Sequence, residues 1–231
     1  LGTAGEQNTI KIVSVGTDLS NGIYARDDGG SVVVNGKSNI KAGIGVHTSD
    51  GKSSIIFNDD AIIDSNTGVS AQNGTVTFNG ATKIDAPTAI QTSKGNGSGG
   101  ASVTFAYDPT PINVLAQNAT PKREDAASAD SQVNGSVTGD GNLVKSGSGS
   151  LAFNGNNSGF SGLFDVLGGA VFLTDTDAGF FSRAKVSVTS GALIAPVLTF
   201  VEGGKLTLAG GTLVTNTGQV FLNAQIGRAH V

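Results

Sequence analysis

Few side chains in this chain of 231 residues could do chemistry, since it has two histidines and no cysteine. Four carboxylates lie near one another in sequence: Asp59, Asp60, Asp64 and Asp85. Asp64 follows Lys41, and Asp85 follows Asp64, at the interval at which the surrounding sequence repeats. Stacked at that interval, Lys41, Asp64 and Asp85 would form one outward column with about 5 Å between rungs. Carboxylates so arranged can hold Ca²⁺ or divide the roles of acid and base, which is the chemistry of polysaccharide cleavage. Outward polar columns also keep any extended repeat soluble, and neither an arginine nor an aromatic platform accompanies this one. His47 has Ser49 and Asp50 beside it, but sequence neighbours do not make a triad, and strand alternation turns His47 outward to solvent. Two glycine-bearing stretches match phosphate loops only in part. Five residues separate Gly45 from Gly51 where four are required, and no helix follows. Gly95, Gly97 and Gly100 have dinucleotide-loop spacing but run into Ala101-Ser102-Val103-Thr104-Phe105, which alternates as a strand, so a flexible corner is expected there. These residues predict no catalytic, metal or cofactor site.

What positions them is a repeat. Residues 21–86 hold three copies of one pattern: NGIYARDDGGSVVVNGKSNIKA, IGVHTSDGKSSIIFNDDAIIDS and TGVSAQNGTVTFNGATKIDA. Aligned, they place Ile23, Val46 and Val69 in one column, Val34, Phe57 and Phe78 in a second, and Ile40, Ile63 and Ile84 in a third. Asn35, Asn58 and Asn79 fall together as well, at intervals of 23 and 21 residues. A fixed period in this range marks a solenoid, whose units cannot bury their apolar faces alone. Apolar residues alternate with polar ones within each copy, as in Val32-x-Val34 and Ile40-x-Ala42, which is strand periodicity. Asp28-Gly29, Asp50-Gly51 and Asn73-Gly74, with the asparagine corners, separate the strands and suit turns. The pattern predicts an all-β chain: a right-handed, three-sided parallel β-helix of 21–23 residues per coil, with three strands per copy. Its interior would hold the apolar ladders, and Asn35, Asn58 and Asn79 would stack at one corner.

Composition bounds the function. At about 22 residues per coil there is room for roughly ten coils, a rod of about 45–50 Å. Thirty-five glycines without a Gly-X-Y repeat exclude collagen. A net charge of -4 with scattered Lys and Arg provides no basic face, so no nucleic-acid partner is expected. No apolar run approaches the ~20 residues that span a bilayer. Residues 1–106 read as regular coils, and any secretion signal is expected outside the sequence. Residues 107–132 break the period with Pro109, Pro111, Pro121 and the charged run PKRED, and read as an insertion loop, a solvated excursion with a nicking point at Lys122-Arg123. Residues 133–225 resume the coils, and Ile226–Val231, which loses the alternation, reads as a non-native tail.

Within that last segment the phrase Gly141-Asn142-Leu143-Val144-Lys145-Ser146-Gly147-Ser148-Gly149-Ser150-Leu151-Ala152-Phe153-Asn154-Gly155-Asn156-Asn157 resembles the autotransporter-associated β-strand repeat. The match rests on Gly141, Leu143, Lys145, Gly147, Gly149, Leu151, Gly155 and Asn157, and Phe160, Gly162, Val166, Gly169 and Val171 fill the later places. Phe153 and Phe164 depart from it, standing where Leu and a small polar residue are usual. The resemblance covers residues 141–173. It implies a type V autotransporter passenger of a Gram-negative bacterium, displayed at the cell surface or outer membrane, with a C-terminal translocator barrel in a missing part of the chain. The repeat itself would aid passenger folding during secretion. On that reading the chain is non-enzymatic, an adhesin or aggregation stalk whose partner is host matrix, a receptor or a sister-cell surface. A β-helix polysaccharide lyase or hydrolase and a passive spacer are the alternatives.

Overall fold

Residues 21–26, 29–49, 51–94, 100–109, 123–174, 181–201, 203–215 and 220–222 are described by a computed structural model. The expectations placed on residues 1–20, on Asp28 and Asp50, on residues 95–99 and 110–122, and on the tail 226–231 lie outside those residues.

The chain is a parallel β-solenoid built from stacked strands. One sheet of nine strands contains β1 (Asn21–Ala25), β3 (Ser38–Ser49), β5 (Ala61–Gln72), β7 (Thr82–Ser93), β9 (Ser131–Gly139), β11 (Ser150–Phe153), β13 (Ala170–Leu173), β15 (Ala192–Ala195) and β18 (Thr212–Thr215) in that order. The facing sheet of eight holds β2 (Ser31–Val34), β4 (Ser54–Phe57), β6 (Thr75–Phe78), β8 (Ser102–Phe105), β10 (Asn142–Lys145), β12 (Leu163–Val166), β14 (Lys185–Val188) and β17 (Lys205–Leu208). A third pair, β16 (Leu198–Phe200) and β19 (Val220–Leu222), adds a further side near the C-terminal end.

Stacking in register converts sequence columns into ladders. Ile40 pairs with Ile63 and Ile63 with Ile84, and Ile23 stands on Val46 and Val46 on Val69. Val34, Phe57, Phe78 and Phe105 form a third buried ladder, in which the rings of Phe57 and Phe78 stack at 5.0 Å and those of Phe78 and Phe105 at 5.3 Å. The asparagine corner forms as hydrogen bonds, Asn58 Nδ2 donating to Asn35 Oδ1 at 2.7 Å and Asn79 Nδ2 to Asn58 Oδ1 at 2.9 Å.

Three sequence expectations change. The three separate strands per copy become two, because the last strand of one copy and the first of the next run together as the twelve-residue strands β3, β5 and β7. Inside β5 a Cβ on Gly68 would lie 2.3 Å from Ile84 Cγ2 and 2.5 Å from the Ala89 carbonyl, so only a residue without a side chain lets the rungs close. Gly68→Ala is therefore expected to cost about 1–3 kcal/mol, the usual penalty of overpacking, in equilibrium denaturation; a variant as stable as the parent would show that the rungs separate freely.

The roughly ten coils expected become eight rungs in one sheet and nine in the other among the described residues. Two long connections, between β7 and β8 and between β8 and β9, hold no strand among the described residues. The second is the insertion, and it is not a solvated excursion throughout. It ends in a 3-10 helix, Arg123–Ser128, that lies on the outer face of β11 and β13.

Candidate functional surface

The outward column proposed for chemistry is present in register: Lys41 pairs with Asp64, Asp64 with Asp85, and Asp85 with Asn134. Its electrostatics differ from a shared cation or sugar site. Lys41 Nζ lies 2.7 Å from Asp64 Oδ2, whereas Asp85 Oδ2 is taken by Lys83 at 3.0 Å and its Oδ1 by the Asn134 amide. The two carboxylates thus have separate partners. Burial alone would raise the Asp85 carboxyl, but the hydrogen bonds from Asn134 and Lys83 outweigh it and hold the group below the ordinary range. A carboxyl held ionised is poorly placed to donate a proton as a general acid.

Asp59 and Asp60 are likewise engaged in local structure. Asp59 Oδ1 accepts the Asp60 amide at 2.8 Å. Asp60 Oδ2 pairs with Lys37 at 2.9 Å, and its Oδ1 accepts the Ala81 amide of the next coil at 3.1 Å. Among the described residues no group of three His, Asp or Glu side chains could hold a metal ion.

His47 departs from the solvated position that alternation predicts. It is half-buried, with its ring centroid 4.7 Å from that of Tyr24, and burial lowers the pKa of the imidazole. Among the described residues neither ring nitrogen has a hydrogen-bond partner, and the Ser49 hydroxyl lies 2.9 Å from Tyr24 Oη, bonded there instead. Sequence adjacency therefore does not assemble His47 and Ser49 into a nucleophile and base. The flanking Tyr24 follows from register, since Tyr24 and His47 are paired residues of β1 and β3.

The residues of the 141–173 phrase each have a physical task. Leu143 and Leu151 are fully buried ladder residues. Asn157 is fully buried: its Oδ1 accepts the Val137 amide at 2.7 Å and its Nδ2 donates to the Gly155 carbonyl at 2.7 Å, which satisfies one buried and one half-buried backbone group. Gly147 has φ of 72° and supplies the turn after β10, while the Gly149 amide donates to the Tyr107 carbonyl at 2.9 Å. The Gly141 amide donates to Thr92 Oγ1 at 3.0 Å. Gly155 packs against the Gly135 carbonyl, which a Cβ would approach to 2.1 Å.

Lys145 is 1% exposed and sits in the column of the phenylalanines, paired with Phe105 on one side and Val166 on the other. Its ammonium donates to the carbonyls of Ser146, Gly147 (2.9 Å) and Gly168 (3.5 Å). Burial pulls its pKa down to about 8, against the opposing pull of Asp108 and Asp130.

The departures at Phe153 and Phe164 have a common cause. Their rings meet edge-to-face at 5.7 Å, and Phe181 closes on Phe153, Phe160 and Phe164 at 5.6, 5.5 and 4.9 Å, filling the core of that coil with four aromatic rings.

A further polar ladder extends the acidic column. Asn154 Nδ2 donates to Asn134 Oδ1 at 2.7 Å and Thr174 Oγ1 to Asn154 Oδ1 at 2.9 Å, so Asp85, Asn134, Asn154 and Thr174 form one hydrogen-bonded row. Sequence reasoning missed it because the insertion separates Asp85 from Asn134, although the pairs Asn134-Gly135 and Asn154-Gly155 carried the same signal as the first asparagine corner. No family model, no curated protein and no solved structure matches the chain.

Proposed function

We propose that the chain is part of a surface-displayed autotransporter passenger, a non-enzymatic β-solenoid stalk that presents long flat faces for adhesion or aggregation. The observation that carries this reading is the engagement of the candidate carboxylates Asp59, Asp60, Asp64 and Asp85 in structural contacts along a continuous stack, which leaves the extended surface rather than a pocket as the feature to use. The likeness of residues 141–173 to the autotransporter-associated repeat supports the bacterial surface as its location. Adhesion would then arise from many weak contacts along the faces, with avidity from display of many copies.

The test is recovery of the coding sequence on both sides of this stretch. A secretion signal upstream and a translocator barrel downstream are the expected result; a soluble catalytic domain fused directly to the solenoid would overturn it. A second measurement addresses chemistry. Asp64→Asn together with Asp85→Asn is expected to leave the binding of protein-coated beads to cells and matrix unchanged, since each exposed ion pair contributes little to stability, about 0–1 kcal/mol. Loss of polysaccharide-degrading activity in that double variant would instead establish the enzyme reading.

A further inference from the structure

Asn-x-Ser/Thr triplets begin at Asn73, Asn96, Asn118, Asn134 and Asn156. This is the triplet whose asparagine amide accepts a sugar in N-linked glycosylation, and in a chain rich in Asn, Gly and Ser it also arises by accident. What separates an acceptor from an accident is the side chain. Its Nδ2 has to be free and open to solvent, and its Oδ1 has to be free to take the amide of the hydroxyl residue two positions on. Asn96 and Asn118 lie outside the described residues.

Asn73 and Asn134 do not meet these conditions. The Asn73 backbone is in the left-handed region, with φ of 57°, and its Oδ1 is buried without a partner. The Thr75 amide that Asn73 would need is spent on the Ser53 carbonyl at 3.0 Å. Asn134 is held at both ends of its carboxamide, Nδ2 by Asp85 and Oδ1 by Asn154, and the Ser136 hydroxyl donates to the Pro87 carbonyl at 3.0 Å. Asn156 is the reverse case. It is exposed in the turn between β11 and β12, and among the described residues neither its Nδ2 nor the Ser158 hydroxyl has a hydrogen-bond partner. Its Oδ1 accepts the Ser158 amide at 3.0 Å. Asn157, fully buried and bonded to Val137 and Gly155, pins the middle of the triplet to the coil and leaves Asn156 outside it.

We propose that Asn156 is an acceptor for N-linked glycosylation in the folded chain. A carboxamide nitrogen is a poor nucleophile because its lone pair is shared with the carbonyl. The turn that closes Asn156 Oδ1 on the Ser158 amide draws charge onto that oxygen and makes an Nδ2 proton easier to lose. A base of the transferase takes that proton, and Nδ2 attacks C1 of a sugar activated on a nucleoside or lipid diphosphate. The Nδ2–C1 bond forms, the C1–O bond breaks, and the diphosphate leaves with the electron pair. The sugar then stands at the edge of the solenoid where β11 passes to β12. Display at the cell surface would bring the chain to such a transferase, but the acceptor geometry stands on the fold alone.

The experiment incubates the purified, folded full chain with UDP-glucose and a soluble N-glycosyltransferase that reads Asn-x-Ser/Thr, and peptide mass spectrometry locates the product. One hexose on Asn156 is expected. Asn73 and Asn134 should react slower by about tenfold or more, since each has to wait for local opening of its coil. In the denatured chain that difference should vanish. Ser158→Ala, which removes the hydroxyl that the transferase reads, should abolish the reaction at Asn156, and Ser158→Thr should keep it, with the melting temperature of both unchanged. No hexose on Asn156 in the folded chain, reaction of Asn73 or Asn134 at the same rate, a denatured chain that still reacts only at Asn156, or full reaction of Ser158→Ala would each overturn the assignment. Because the chain is purified, the outcome is independent of where it is displayed, and a negative result leaves the passenger reading standing.

Discussion

Phe78→Ala is expected to lower the stability of the chain by about 3–5 kcal/mol, the range for removing a fully buried aromatic side chain. Phe78 has no exposed surface and is the middle ring of the Phe57–Phe78–Phe105 stack, so its removal opens a void and strips one stacking partner from each neighbour. The strands on either side are held in hydrogen-bonded register, which limits how far they can collapse into the space. For a chain of this size each kcal/mol corresponds to a shift of about 2–4 °C, so the melting temperature should fall by about 10 °C. Phe78→Leu, which keeps most of the volume, is expected to cost about 1–1.5 kcal/mol. Thermal and denaturant melts of the two variants decide it, and an alanine variant within about 1 kcal/mol of the parent would mean that the rings do not pack as a continuous column.

Lys145→Ala should cost about 3 kcal/mol at pH 7, with an uncommon dependence on pH. Removing the side chain leaves the carbonyls of Ser146, Gly147 and Gly168 without their donor and opens the column between Phe105 and Val166. Relief of the buried charge offsets part of this loss. In the unfolded chain Lys145 holds its proton up to about 10.5, whereas in the folded chain it releases it near 8. Between those values the unfolded state binds more protons, so the contribution of Lys145 to stability rises with pH across this window and is flat below it. The full swing is about 3 kcal/mol for a shift of this size. The gap between parent and Lys145→Ala should therefore widen from pH 7.5 to pH 10 in denaturant titrations. A constant gap would show that the carbonyl cage holds the ammonium charged throughout.

Much of this architecture is determined by the sequence alone, for a simple reason. In a parallel stack at constant register each residue lies over its counterpart one period away, so a period of 21–23 with strand alternation names both the ladders and their inward faces. Ile40, Ile63 and Ile84, the phenylalanines of the first coils and the asparagine corner required no other information. Legibility ends where the period is interrupted. The connection between Phe105 and Ser131 hides the register of everything after it, so that Lys145 was legible as a member of a repeat phrase but not as the next occupant of the phenylalanine column. Only the tertiary structure decided which partner each polar group takes. Lys41 goes to Asp64 and Asn134 to Asp85, neighbours in the column, but Asp85 turns its other oxygen to Lys83 on its own strand and not to Asp64, a choice made by side-chain reach that column membership does not specify. The same holds for Ala126 and Ala129, unremarkable in sequence, which become an anchor because the folded insertion brings them to Phe172 and Ile194, contacts between segments that no local periodicity relates.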